Sequence, residues 1–252
     1  MPARTRARTC AKAWPVSYPL VGRSSKALAE FPAGLEEKVV VRITGGRFRS
    51  RVLKSPRGDE TRPTSDRVRE ALFSMLEARC GLVEARVLDL YAGTGALGLE
   101  ALSRGANHAT FVERRREALV ALRENVDALG VGTQSRILGR AVEMLGSARG
   151  GGGGTGTEAL GGPFEVIFAD PPYADVQSGA APRALGRVLS DDLLSSEEAL
   201  FVLEHSSKTP APSLPKLRCL ETRVYGDTQI SFYGILPRAI GGGGGGGGRE
   251  LD

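Results

Sequence analysis

Short apolar runs alternate with amphipathic segments from residue 86 to residue 204, and this alternation limits the fold more than any other feature of the chain. Strands are expected at Arg86–Tyr91, Ala109–Glu113, Ser135–Leu138, Phe164–Ala169 and Ala199–Glu204. Helices are expected between them at Ala96–Ser103, Glu117–Leu129, Ala141–Leu145 and about 182–189. Leu119, Leu122, Val126 and Leu129 lie on one side of the second helix, and Gly130 follows its end. Strands that alternate with helices pair in parallel, which gives a doubly wound α/β sheet. Cys219–Tyr225 and Thr228–Tyr233 meet at Gly226-Asp227 and read as a hairpin that adds an antiparallel edge. The expected architecture is a Rossmann-like, mostly parallel, seven-stranded sheet.

The fourth run, Phe164–Ala169, stops at Asp170-Pro171-Pro172-Tyr173. Proline brings no N–H to a ladder and pushes its predecessor out of helical geometry. Asp170 therefore stands at the carboxyl end of a strand, where open α/β sheets bind ligands. Two prolines would make rigid acceptors of the carboxylate and carbonyl there, and Tyr173 would offer a ring face.

Asp89 to Gly98 occupies the join between the first strand and its helix. Gly93, Gly95 and Gly98 let the backbone approach a ligand and turn into the helix, and Glu113 ends the next strand. Literally this spells GxGxxG, so a nicotinamide or flavin cofactor must be weighed. S-adenosylmethionine accounts for more of the residues. Asp89 suits its ammonium group, Glu113 its ribose, and the Asp-Pro-Pro-Tyr segment an amine that receives the methyl.

Charge is uneven. The net formal charge is +5, yet residues 1–29 hold Arg4, Arg6, Arg8, Lys12, Arg23 and Lys26 without an acid. Residues 42–69 carry nine Lys or Arg against three acids. Val39–Thr44 and Phe48–Leu53 around Gly45-Gly46 are expected to form a β-hairpin. Its second strand would set Arg47, Arg49 and Arg51 on one face, spaced to follow the phosphates of a polyanion. Val68, Ala71, Leu72, Met75 and Leu76 then form a helical stripe, with Arg67 and Arg69 off it. The segment before residue 39 is rich in Arg and Ser and reads as an organellar transit peptide, with chloroplast the expected destination and mitochondrion the alternative.

Sixteen of the 34 glycines fall in 150–162 and 241–248, which read as an inserted loop and a tail. The division expected is therefore 1–38 presequence, 39–80 basic hairpin and helix, 81–236 catalytic domain and 237–252 tail. Cys10, Cys80 and Cys219 form no CxxC pair, so neither a zinc site nor a disulfide framework is expected. No metal site and no membrane span are expected.

Four segments together resemble the RsmD family of bacterial-type small-subunit (16S-type) rRNA (guanine-N2-)methyltransferases. They are Arg42-Ile43-Thr44-Gly45-Gly46, Arg62-Pro63-Thr64 through Phe73, Asp89 through Gly105, and Asp170-Pro171-Pro172-Tyr173. The resemblance spans about 39–234. It implies a class I S-adenosylmethionine-dependent methyltransferase acting on rRNA or a partly assembled small subunit, as a monomer. It also implies cofactor contacts from Asp89, Gly93, Gly95, Glu113 and Ala141, with Arg62 and Thr64 closing over the ligand. Catalysis would fall to Asp170, Pro171, Pro172 and Tyr173, and RNA contact to Arg47, Arg49, Arg51 and Arg67. The chain departs from the family at Arg140, where an Asn or Asp commonly meets the adenine. An adenine-N6 DNA methyltransferase and a catalytically silent RNA-binding assembly factor remain open alternatives.

Overall fold

The computed structural model describes residues 40–56, 65–145, 157, 160–189 and 193–236. The presequence, the glycine tail, most of the 150–162 insertion, Arg62 and Thr64 lie outside these residues. Strands β1 (Arg86–Leu90), β2 (His108–Glu113), β3 (Ser135–Gly139), β4 (Val166–Ala169), β5 (Leu200–Ser206), β6 (Leu217–Tyr225) and β7 (Thr228–Ile235) form one sheet. Its order is β3-β2-β1-β4-β5-β7-β6. The first five strands are parallel, and β7 and β6 are antiparallel to their neighbours, as the hairpin pattern predicts.

Helices are α1 (Asp66–Arg79), α2 (Ala96–Ser103), α3 (Arg116–Leu129), α4 (Tyr173–Gln177) and α5 (Ala180–Val188). Side chains alternate across the strands, so each run of β-branched and aromatic residues feeds two cores. Val87, Phe111, Phe168 and Val202 pack on one face with Phe73, Leu76, Leu99 and Leu122. Leu88, Val112, Ile167 and Phe201 pack on the other with Leu185, Val188, Leu189 and Leu193. Each such side chain contributes about 1.5–3 kcal/mol on burial. Phe73 meets Phe168 at 5.6 Å between ring centroids, which seats α1 over β4. Val41, Ile43 and Leu53 join the same core, so the basic segment and α1 are built onto the sheet rather than standing apart from it.

The N-terminal hairpin is not formed as expected. It is reduced to one antiparallel bridge, Arg42 with Val52, flanked by Ile43 N–H to Arg51 C=O at 2.9 Å and Leu53 N–H to Val41 C=O at 2.8 Å. Gly46–Phe48 coils into a 3-10 turn and Ser50 adopts φ +69°, which breaks the alternation of Arg47, Arg49 and Arg51. The contact between this arm and the body decides the shape. A Cβ on Gly46 would lie 2.0 Å from the Ser103 carbonyl oxygen, so the glycine is required by close approach as well as by its φ of +73°.

Arg69 also departs from expectation. Although off the apolar stripe, it is 1% exposed, because Glu100 on α2 is fully buried opposite it. Arg69 Nη2 donates to Asp66 Oδ1 at 2.7 Å and Arg42 C=O at 2.5 Å, and its Nε lies 3.7 Å from Glu100 Oε2. Glu100 accepts from Thr44 N–H (2.7 Å), Thr44 Oγ1 (2.9 Å), Gly45 N–H (2.8 Å) and Arg104 Nε (2.7 Å). A buried charge is tolerable only when paired and hydrogen-bonded to this degree. Ala141–Leu145 shows only a 3-10 turn, Val142–Met144, where a helix was expected.

Candidate active site

The strands that the chain visits diverge between β1 and β4, because β1 leads to β2 on one side and β4 to β5 on the other. Ligands of open α/β sheets bind outside the carboxyl ends of the strands at such a point. Period two then fixes which side chains meet there. Asp89 follows Val87 by two, Glu113 follows Phe111, Asp170 follows Phe168 and Glu204 follows Val202, so four acids continue one face of the sheet. Ala169 pairs with Leu203, which sets Asp170 and Glu204 side by side.

Asp89 is 2% exposed and its Oδ2 accepts the Gly98 N–H at 2.9 Å. Burial pushes its carboxyl up to about 7, opposed by that hydrogen bond and assisted by the charge of Glu113. Glu113 is built into the glycine turn. Its Oε2 accepts Gly93 N–H at 2.8 Å, and its Oε1 accepts Arg114 N–H at 2.8 Å and Arg115 N–H at 2.7 Å. A carboxylate has roughly four acceptor positions, so capacity for a ribose hydroxyl remains.

The three glycines do different work. Gly93 (φ +56°) has open space where a Cβ would stand, which is room for a ligand. Gly95 (φ +84°) begins α2, and a Cβ there would lie 2.4 Å from Leu122 Cδ1. On Gly98 a Cβ would lie 2.3 Å from the Phe111 ring, so this glycine sets the approach of α2 to β2.

Asp170 is half-buried at the end of β4, with Pro171 buried behind it and Pro172 exposed as the N-cap of α4. Burial, then Glu204, then Asp89 raise its carboxyl well above the usual range. Tyr173 opens α4, and its hydroxyl lies 2.9 Å from Thr228 Oγ1 at the start of β7. Ala141 is half-buried beyond β3, two strands from β1. Arg67 is exposed in the first turn of α1. Arg47 and Arg51 are tied elsewhere: Arg47 Nη2 donates to Gln134 Oε1 at 2.7 Å and Arg51 Nη2 to the Ala128 carbonyl at 3.5 Å, both at the amino end of β3. Arg49 is exposed in the turn between them.

Sequence reasoning missed three residues here. Glu204 ends an apolar run just as Asp89 and Glu113 do, so the same strand-end logic could have found it. Tyr91 stands inside the glycine motif with φ +62°, and its buried hydroxyl faces the Glu143 carboxyl. Burial and the nearby charges of Glu143 and Asp175 raise its phenol. Asn125 on α3 joins Lys54 N–H (2.7 Å), Lys54 C=O (3.1 Å) and Thr94 C=O (3.0 Å), and no local pattern announces it.

S-adenosylmethionine fits this end of the sheet. Gly93 leaves space, and the buried carboxylate of Asp89, its carboxyl raised to about 7, would be stabilised by an ammonium group. The sheet order, the glycine turn and the strand-end acids define a class I S-adenosylmethionine-dependent methyltransferase fold. S-adenosylmethionine is its cofactor.

Residues 41–234 match the family model described as "Conserved hypothetical protein 95". The chain is 35% identical over 175 residues to Ribosomal RNA small subunit methyltransferase D of Escherichia coli K12, covering 69% of this chain and 79% of that protein. It is 31% identical over 194 residues to the putative rRNA methyltransferase YlbH of Bacillus subtilis, covering 77% and 98%. Among solved structures, the putative methyltransferase yhhF of Escherichia coli superposes with a TM-score of 0.62 at 30% identity, covering 78% of this chain and 98% of that one. A hypothetical protein of Thermus thermophilus gives 0.61 at 36% identity, covering 77% and 98%. The chain belongs to the RsmD family of methyltransferases.

Proposed function

We propose that this protein transfers a methyl group to the exocyclic N2 amine of a guanine in small-subunit rRNA. The observation that carries the proposal is the placement of Asp170. Its carboxylate stands at the switch point, fixed by two prolines, with a tethered tyrosine one turn away. The RsmD relatives, whose names specify small-subunit rRNA, support the substrate class.

When bound, S-adenosylmethionine supplies an electrophilic methyl on a sulfonium centre. Asp89 would hold its ammonium group, Glu113 its ribose, and the backbone of Gly93 and Ala141 would flank the nucleoside. The guanine amine is a weak nucleophile because its lone pair is shared with the ring. Asp170 and the Pro171 carbonyl accept its two N–H bonds and favour the pyramidal form, which aims the lone pair. The nitrogen sheds a proton as it gains the methyl, and the raised basicity of Asp170 suits it to receive that proton. The ring of Tyr173 provides a plate for an extruded base. Arg49 and Arg67 are exposed and would meet phosphate, as would Arg47 and Arg51, which are exposed in the same segment. We extend the proposal to an organellar destination, which rests on the composition of residues 1–29 alone; a fluorescent fusion of residues 1–38 that stays in the cytosol would refute it.

The test is methyl transfer from labelled S-adenosylmethionine to small-subunit rRNA, followed by digestion to nucleosides. N2-methylguanosine is the expected product. Label in N6-methyladenosine, or in DNA alone, overturns the reading.

A further inference from the structure

The carboxyl end of the sheet carries a second basic cluster. Arg114, Arg115 and Arg116 are exposed in succession after β2, and Arg140 is exposed after β3. Glu113 pairs with Gly139, so Arg114 and Arg140 leave the sheet at adjacent positions. Like charges set opposite one another on neighbouring strands are destabilising. Arg115 and Arg116 also stand where the dipole of the 14-residue α3 disfavours cations, by about 0.3–1 kcal/mol each.

Little nearby relieves this. Arg115 lies 3.8 Å from Glu113, whose oxygens already hold three backbone N–H groups. Among the described residues, Arg114, Arg116 and Arg140 form no ion pair. Of the other acids at this end, Asp89, Asp170 and Glu204 belong to β1, β4 and β5, Glu117 is exposed on α3, and Glu143 and Asp175 bear on Tyr91, as Arg114 does. A sequence that sets uncompensated cations against local electrostatics serves a requirement outside the fold.

The cofactor does not supply that requirement, because its one anion is the carboxylate on the carbon that bears the ammonium group assigned to Asp89, and it has no phosphate. The location supplies it. β4, which ends in Asp170, is two strands from β2 and three from β3, so the cluster lies about 10–14 Å from the reacting end. We propose that Arg114, Arg116 and Arg140 form a phosphate-binding track for the RNA strand that flanks the target base. The inference rests on the rRNA reading above and adds the path the strand takes: across the lip of the cofactor pocket, toward the β3 edge. Arg47 and Arg51 are excluded from this role by their place at the opposite end of α3, about 18 Å away along the helix axis.

The test is salt-dependent binding of the full chain to a small-subunit rRNA fragment, with the wild type compared to an R114A/R116A/R140A variant. The slope of log affinity against log salt should become shallower by about two, at roughly 0.7 per lost single-strand contact. An R114K/R116K/R140K variant should keep the wild-type slope. Calorimetric affinity for S-adenosylmethionine and the melting temperature report whether pocket and fold survive in each. An unchanged slope in the alanine variant, with wild-type protein methylating rRNA, overturns the track alone. A slope change seen with duplex DNA and not with RNA overturns it too. Absence of rRNA methylation by wild-type protein is the separate result that overturns the function on which the track rests.

Discussion

Two groups of buried acids in this protein are treated in opposite ways. Glu100 is encircled by donors: two backbone N–H groups, a threonine hydroxyl and two guanidiniums. Asp170 is raised by its own burial and by two further acids, Glu204 and Asp89. The first arrangement favours a fixed charge and locks the arm to α2. The second leaves carboxyls that gain when a donor or a cation arrives, which is a property of a binding site. The contrast separates carboxyls that hold the fold from carboxyls open to a ligand, although both kinds are drawn away from water.

The contrast is broken most directly at Asp170. Asp170→Ala should lower methyl transfer by about 100-fold or more, while calorimetric affinity for S-adenosylmethionine stays within about twofold. Retained turnover would remove Asp170 from the chemistry. Glu100→Ala should instead destabilise the protein by about 3–5 kcal/mol, since it leaves Arg69 and Arg104 without their shared partner. A fall of about 10 °C in melting temperature is the expected size for a chain of this length, and an unchanged melt would show that the clamp is not what holds the arm.

Asp89 lies between these cases, and its sign can be worked out. Its folded carboxyl titrates near 7 and an unfolded one near 3.9, so the native state binds the extra proton between those values. Its contribution is fully present below about pH 4 and is lost as pH rises through about 7. Asp89→Asn should therefore melt with a weaker dependence on pH between 5 and 8 than the wild type, and should bind S-adenosylmethionine more weakly. The smallest effect is expected at Glu204. With Glu204→Gln the acidic limb of the pH–rate profile should move to lower pH, because one of the charges that raise Asp170 is gone. A profile that drops in height without moving would assign Glu204 a purely structural role.

The parallel sheet and its antiparallel edge were legible because strand burial on both faces writes itself as apolar runs, and Asp89, Glu113 and Asp170 were legible as acids at the ends of those runs. The arm was not. Its alternating arginines satisfy the pattern of a strand, yet Gly46 against Ser103 and Arg47 against Gln134 are long-range contacts that a local pattern does not contain. Arg69 misled for the same reason: a charged residue off the stripe reads as solvated unless Glu100, 31 positions later in the chain, is known to face it. The arginines after β2 were passed over because a run of like charge beside a helix looks like ordinary surface until the register places Arg140 beside it.

The tether between Tyr173 and Thr228 has a consequence for the order of events during synthesis. Asp89, Glu113 and Asp170 all precede residue 171, whereas β7, which supplies Thr228, is the final strand of the sheet to leave the ribosome. A nascent chain thus carries these three acids while the hydroxyl of Tyr173 still lacks this anchor. The hairpin that closes the sheet is also the last piece to fix the tilt of the plate on which the base would rest.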